Sequence, residues 1–208
     1  KVSVMLSDYN NMFYNDSLLP VGNLREPASA RFRANIVIIT KCPKNIIPID
    51  KRIMIKRVNL FPYQKLFFSS FSYSNPIAVF EENNIKELDI NCIGKGYNIL
   101  AVSGIANPSQ FDDFLVSTGA IVKTVHFSDH HNFSNKDINN IIDMFSSIAK
   151  NNREKSYIIT TEKDAARILD LNIPEEIKMR IYALPLIVKI NNNEDTLLEE
   201  CLIKNIKQ

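Results

Sequence analysis

A chain of 208 residues that is 45% hydrophobic, with a formal net charge of +2, can bury a sizeable core in one large domain or two small ones, and is too weakly basic for a dedicated nucleic-acid binder. It has no apolar run of about 18 residues, the length a membrane-spanning helix requires. Cys42, Cys92 and Cys201 are far apart and odd in number, which gives no zinc spacing and no disulfide framework and makes a reducing cytoplasm the expectation.

The chain opens with Lys1-Val2-Ser3-Val4-Met5-Leu6, too short and too strand-like for a signal peptide, and its start at Lys reads as a processed chain or a fragment. Val2 to Leu6 predicts a buried strand. Tyr9 to Leu24 is irregular, with Pro20 and Gly22 as breakers. Pro27 suits the first turn of a short helix reaching about Arg33, and the β-branched run Ala34 to Thr40 predicts a strand ended by Pro43 and Pro48. Arg52 to Val58 reads as extended, and so does Phe67 to Tyr73. Aromatics interleaved with Lys and Arg here fit a β linker better than a nucleic-acid or membrane surface, and the polar stretch Asn83 to Asn98 continues it as a connection.

From Tyr97 the pattern is regular. Asn98 to Ser103 is a strand. Asn107 caps a helix with Pro108 at its first position, Phe111, Phe114 and Leu115 on its apolar face, and Gly119 as its stop. Ala120 to Phe127 is a strand. Ser134, with Asp137 three residues on, caps a helix whose Ile138, Ile141, Ile142, Phe145 and Ile148 recur at helical spacing. Ser156 to Thr160 is a strand, Ala165 to Leu171 a helix, Arg180 to Ile190 a strand and Glu194 to Lys207 a terminal helix. This alternation implies an α/β fold with a parallel, doubly wound sheet.

Glycine placement excludes two phosphate cradles. No pair among Gly22, Gly94, Gly96, Gly104 and Gly119 has Walker A spacing, and after Gly94-Lys95-Gly96 the third glycine of a GxGxxG motif is replaced by Ile99. A GTPase base-recognition loop fails too, because Thr161 to Asp164 lacks Asn-Lys-x-Asp.

All three histidines fall within His126-Phe127-Ser128-Asp129-His130-His131. Histidine moves protons near neutral pH and binds metals, so this segment is the leading candidate site, against the plainer reading of surface residues beside a turn. Parallel sheets bind ligands beyond the carboxyl ends of their strands. The loops Ser103 to Asn107, Ser128 to His131 and Thr160 to Asp164 all leave such ends and should share one edge. Asp129-His130 is the most chemical pair, with Asp129, or a carboxylate from another domain, orienting His130 for proton transfer. His126 and His131 are weaker candidates. Lys163 can bind phosphate or form a local ion pair or cap with Asp164. Arg25-Glu26 can hold a phosphate or be structural.

Six segments then occur in order: Leu24-Arg25-Glu26-Pro27, Ile36 to Pro43, Phe67-Phe68-Ser69-Ser70, Ser103 to Pro108, Asp129-His130-His131 and Thr160 to Asp164. Together they resemble the tetraacyldisaccharide 4'-kinases of lipid A biosynthesis over nearly the whole chain. The resemblance implies a P-loop kinase that transfers the γ-phosphate of ATP, with Mg²⁺, to the 4'-hydroxyl of a tetraacyldisaccharide 1-phosphate, without nucleic acid. It implies that the P-loop, the acidic metal-binding segment and the membrane-associating helix precede Lys1, so that the chain alone is inactive and the parent protein sits peripherally on the cytoplasmic face of the bacterial inner membrane. Residues 1–50 would complete the nucleotide-binding domain, 51–96 would form the β linker and connection, and 97–208 a smaller Rossmann-like α/β/α domain with a mainly parallel sheet. His130 resembles the histidine that works with an aspartate from the preceding part to activate the sugar hydroxyl, with Asp129 orienting it. Arg25 resembles an arginine near the nucleotide phosphates, with Glu26 its neighbour in the cleft. Lys163 stays, from the residues alone, a candidate phosphate contact or a local ion pair, and no residue is assigned to a metal. The alternatives are a Mn²⁺-dependent phosphoesterase using Asp129-His130-His131 and a non-catalytic Rossmann-like module.

Overall fold

The computed structural model describes residues 1–43 and 45–206. The chain divides into two compact α/β units, residues 1–72 with 187–208, and residues 73–186.

In the first unit, strands β1 (Val4–Asp8), β2 (Ile36–Thr40) and β3 (Lys65–Tyr73) pair in parallel, and β9 (Leu186–Ile190) lies beside β3. Residues 51–72, read from the sequence as linker, therefore include a strand of this sheet. Val37, Ile39 and Phe68 pack with Met12, Phe13, Met54 and Val58 on one face. The segment after Pro27 is a 3-10 helix, Ala28–Arg33.

Residues 52–58 depart from the extended expectation, for they belong to helix α1 (Pro48–Val58). Pro48 sits in the first turn, where its missing N–H is harmless, and Asp50 at the start and Lys56 and Arg57 at the end complement the helix dipole. Asn59, in the left-handed region at φ 47°, ends the helix. Only Met54 and Val58, four residues apart, turn fully inward. The exposed Ile49, Ile53 and Ile55 therefore mimic a strand in the sequence.

The second unit holds strands β4 (Ile77–Ala78), β5 (Asn98–Ser103), β6 (Ile121–His126), β7 (Ser156–Thr161) and β8 (Ile181–Leu184), in the order β4-β8-β7-β5-β6. All pairings are parallel except β4 with β8. The pleat sends Leu100, Val102 and Ile158 to one face and Ile99, Ala101 and Ile159 to the other. Helix α2 (Ser109–Ser117) covers the latter face with Phe111 and Leu115. Helix α3 (Asn135–Ala149) covers the former with Ile138, Ile141 and Phe145, joined by Ile168 of α4 (Glu162–Ile168) and Ile177 of α5 (Glu175–Lys178). The full capping box that Ser134 and Asp137 announce is present. Gly119, at φ 84°, follows α2 as its stop.

The single strand expected over Arg180 to Ile190 is instead two, β8 and β9, on either side of Pro185, which has no N–H to donate to a ladder. The terminal helix is α6 (Asp195–Ile206), and Lys207, its expected end, lies outside the described residues.

Candidate functional site

The second unit carries a topological switch point. From β5 the chain moves to β6 on one side, then crosses to β7 on the other. The loops after β5 and β7 thus diverge, and in open parallel sheets the place where they do so is the crevice that binds ligands.

Asp164, in the first turn of α4, ties this crevice together. It is fully buried and accepts from the Gly104 N–H after β5 (2.8 Å), the Thr161 hydroxyl at the end of β7 (2.7 Å) and Arg167 Nη1 one turn on (3.2 Å). Its own N–H donates to Thr161 Oγ1 (3.2 Å), so Thr161 caps α4. Three loops approach closely at Gly104. A Cβ there would stand 3.2 Å from Asp164 Oδ1, 3.4 Å from the Ser128 carbonyl oxygen and 3.5 Å from His131 Cβ.

The β6 loop brings Asp129 and His130 to the same place. Lys163 Nζ donates to Asp129 Oδ1 (2.8 Å), and Arg167 Nη2 meets His130 Nδ1 (3.2 Å). The Lys163 hydrogen bond, with the Lys163 charge, holds the Asp129 carboxyl below its usual range against the upward push of burial. Asp129 Oδ1 accepts the His130 backbone N–H (3.0 Å), while Oδ2 lies 3.6 Å from His130 Nε2, beyond hydrogen-bond length. His130 adopts φ 61°, the left-handed region that non-glycine residues enter at a cost of roughly 1–2 kcal/mol. Its ring remains 73% exposed at the lip of the crevice.

The shared edge expected for the three loops is thus observed, with changes of partner. Lys163 pairs with Asp129 rather than Asp164. The three histidines separate: His126 Nε2 reaches Asp112 (2.8 Å), His131 Nε2 reaches Asp137 (3.2 Å) and only His130 joins the crevice network. His131 also stacks on Phe127, with ring centroids 4.7 Å apart. Among the described residues no group of three or more His, Cys, Asp or Glu is placed to hold a metal ion, so the phosphoesterase reading of Asp129-His130-His131 finds no support.

Arg25 and Glu26 belong to the first unit. Both are exposed where the chain enters the 3-10 helix, and Glu26 pairs with Arg33. They line an open groove of about 860 Å³ with Lys1, Ser3 and Met5. The residues missed in the sequence are Gly104 as a contact point, Asp164 as the buried tie and Arg167. Thr161, Asp164 and Arg167 recur every third residue, a spacing that places them along one side of a helical turn and was the available signal.

An α/β unit of mainly parallel strands with charged side chains converging at its switch point belongs to the parallel α/β class, whose members bind ligands at such places. Comparison with known families is more specific. The chain belongs to the Tetraacyldisaccharide-1-P 4'-kinase family, whose description matches residues 1–206. It is 41% identical over 209 residues to a tetraacyldisaccharide 4'-kinase of Bacteroides fragilis, covering 100% of this chain and 55% of that protein. Similar relatives carry the same name in Bacteroides thetaiotaomicron (39% over 214 residues, 100% of this chain and 55% of the relative) and Porphyromonas gingivalis (31% over 204 residues, 97% and 55%). The chain spans about 55% of the length of these relatives. No solved structure matches.

Proposed function

We propose that this chain is the rear part of a lipid A 4'-kinase, transferring the γ-phosphate of ATP to the 4'-hydroxyl of a tetraacyldisaccharide 1-phosphate together with the remaining length that its relatives carry. The family match over residues 1–206 carries this reading. In the transfer, a bond forms between the sugar oxygen and the γ-phosphorus, the bond to the β-phosphate oxygen breaks, ADP leaves, and the hydroxyl proton passes to a base. Such reactions depend on positioning and charge neutralisation.

His130 is the proposed catalytic residue, acting with a carboxylate from the preceding part of the protein. The Lys163 contact fixes Asp129 beside it. Arg25 and Glu26, at the groove of the first unit, would meet the nucleotide phosphates. Residues 1–50 are assigned to the nucleotide-binding domain of a P-loop kinase, and the second unit, which begins at Tyr73, to a Rossmann-like partner domain. Mg²⁺ accompanies ATP in such transfers, and among the described residues no group of three or more His, Cys, Asp or Glu is placed to hold a metal ion. No step is assigned to the metal here. The acylated substrate implies peripheral work at the cytoplasmic face of the inner membrane, which is compatible with the finding that no described helix is long and apolar enough to cross one.

The test is transfer of labelled γ-phosphate to tetraacyldisaccharide 1-phosphate by the longer parent protein and by residues 1–208 alone. Transfer by the parent and none by the shorter chain is expected. Transfer by the shorter chain would contradict its status as a part, and none by the parent would contradict the kinase reading.

A further inference from the structure

We propose that the outward face of helix α1, with the aromatic loop that follows it, is a docking surface for an anionic lipid bilayer. This rests on the reading of the protein as a kinase of an acylated substrate, which is met at a bilayer.

Helix α1 turns Met54 and Val58 to the core, so its 3.6-residue period fixes the opposite stripe: Ile49, Arg52, Ile53 and Lys56, at i, i+3, i+4 and i+7. All four are exposed. They form two rows along the helix, Ile49 with Ile53 and Arg52 with Lys56. The isoleucines are 60% and 45% exposed, and Ile55 beside them 46%. The helix carries four cations, Lys51, Arg52, Lys56 and Arg57, against one carboxylate, Asp50. Lys51 turns back over the Phe68 ring, 4.8 Å from its centroid. The ion pairs that Lys and Arg form among the described residues involve none of Arg52, Lys56 and Arg57.

The surface continues past Asn59. The linker reading of this segment suits Phe67 and Phe68, which are buried, but Phe61 and Tyr63 stand in the open. Their rings stack with centroids 5.6 Å apart, and Phe61 lies 4.6 Å from the Phe32 ring. The ledge is held firmly. Buried Gln64 accepts the Phe61 N–H (2.9 Å) and donates to the carbonyls of Arg31 (2.8 Å) and Ala34 (2.6 Å), and the Tyr63 hydroxyl donates to the Phe32 carbonyl (3.0 Å). These bonds tie the ledge to the 3-10 helix that directly follows Arg25 and Glu26, so the lipid-facing surface and the groove of the first unit are joined through one short element.

The chemistry selects a bilayer over a protein partner. The cores of protein interfaces are depleted of charged residues, lysine among them, whereas this stripe sets Arg52 and Lys56 directly beside the isoleucines. Helices that lie on membranes combine bulky apolar side chains, which enter the acyl boundary, with Lys and Arg, which reach anionic headgroups. Aromatic rings such as Phe61 and Tyr63 settle at the headgroup level.

The test is partitioning of the longer parent protein onto phosphatidylglycerol–phosphatidylethanolamine vesicles by sedimentation, without ATP. R52Q/K56Q should weaken binding about 20-fold, about fivefold per cation, and flatten its salt dependence. I49S/I53S should weaken it about tenfold, on vesicles with and without anionic lipid. K123Q/K136Q, which removes two exposed lysines from the second unit, should bind as wild type. Unchanged binding in both α1 variants overturns the proposal, and so does equal weakening in the K123Q/K136Q control. A lowered unfolding midpoint in I49S/I53S with unchanged partitioning would show the stripe covered by another part of the same protein, and dissociation of an oligomer would show it covered by a second copy; either result also overturns the proposal. A parent that transfers phosphate but binds alike in all variants defeats this surface alone, whereas one that binds through α1 but transfers none defeats the kinase reading alone.

Discussion

Replacing Asp164 by Ala tests whether one buried carboxylate holds the crevice together. The side chain is fully buried and accepts three hydrogen bonds, one of them from a cation. Removing one partner of a buried ion pair typically destabilises by about 3–5 kcal/mol. The Arg167 side chain is 24% exposed and can regain water, whereas the Gly104 N–H is buried and cannot, which places the expected loss near about 3 kcal/mol. Asp164→Asn keeps the volume and one acceptor, so about 1–2 kcal/mol is expected for it. The chain has no tryptophan, so urea unfolding followed by far-ultraviolet circular dichroism is the suitable assay. Amide exchange at Gly104 should also accelerate in D164A. A D164A midpoint indistinguishable from wild type, with Gly104 still protected, would refute the buried tie.

Other perturbations report on the frame around the site. Ser134→Ala should remove about 1 kcal/mol by breaking the capping box of α3, read by the same unfolding assay. Hydrogen bonds from Ser134 and the contact with His131 lower the Asp137 carboxyl from 3.8 to about 2. A depressed carboxylate stabilises the fold above its unfolded value, so this contribution is full above about pH 4 and disappears as pH falls through about 2. Asp137→Asn should lose that part of the acid dependence, seen by comparing unfolding midpoints over this range. Phe145→Ala, at a 1% exposed position in the main core of the second unit, should destabilise by about 3–5 kcal/mol, read by the same unfolding assay.

Legibility in the sequence followed locality. The Ser134 box, the 3.6-residue period of Ile138, Ile141 and Phe145 and the Gly119 stop are all local signals, and α3 and the end of α2 were readable from them. Helix α1 was obscured because its exposed isoleucines imitate a strand and only Met54 and Val58 face the core. At the site, strand ends predicted which loops would meet, since parallel alternation already implies a shared carboxyl edge. Partner choice was less legible. Lys163 reaches 34 residues back to Asp129, and Arg167 reaches 37 residues back to His130. The clustering of the histidines also misled, because neighbouring side chains on a turning loop diverge towards different carboxylates.

The most direct test of the proposed function is the 4'-kinase rate of the parent protein with His130→Ala beside wild type. Loss of a group that assists proton removal predicts a fall of about 10²–10⁴-fold with an unchanged fold. A rate close to wild type would contradict the catalytic role of His130 and leave the network around it a structural feature of the fold.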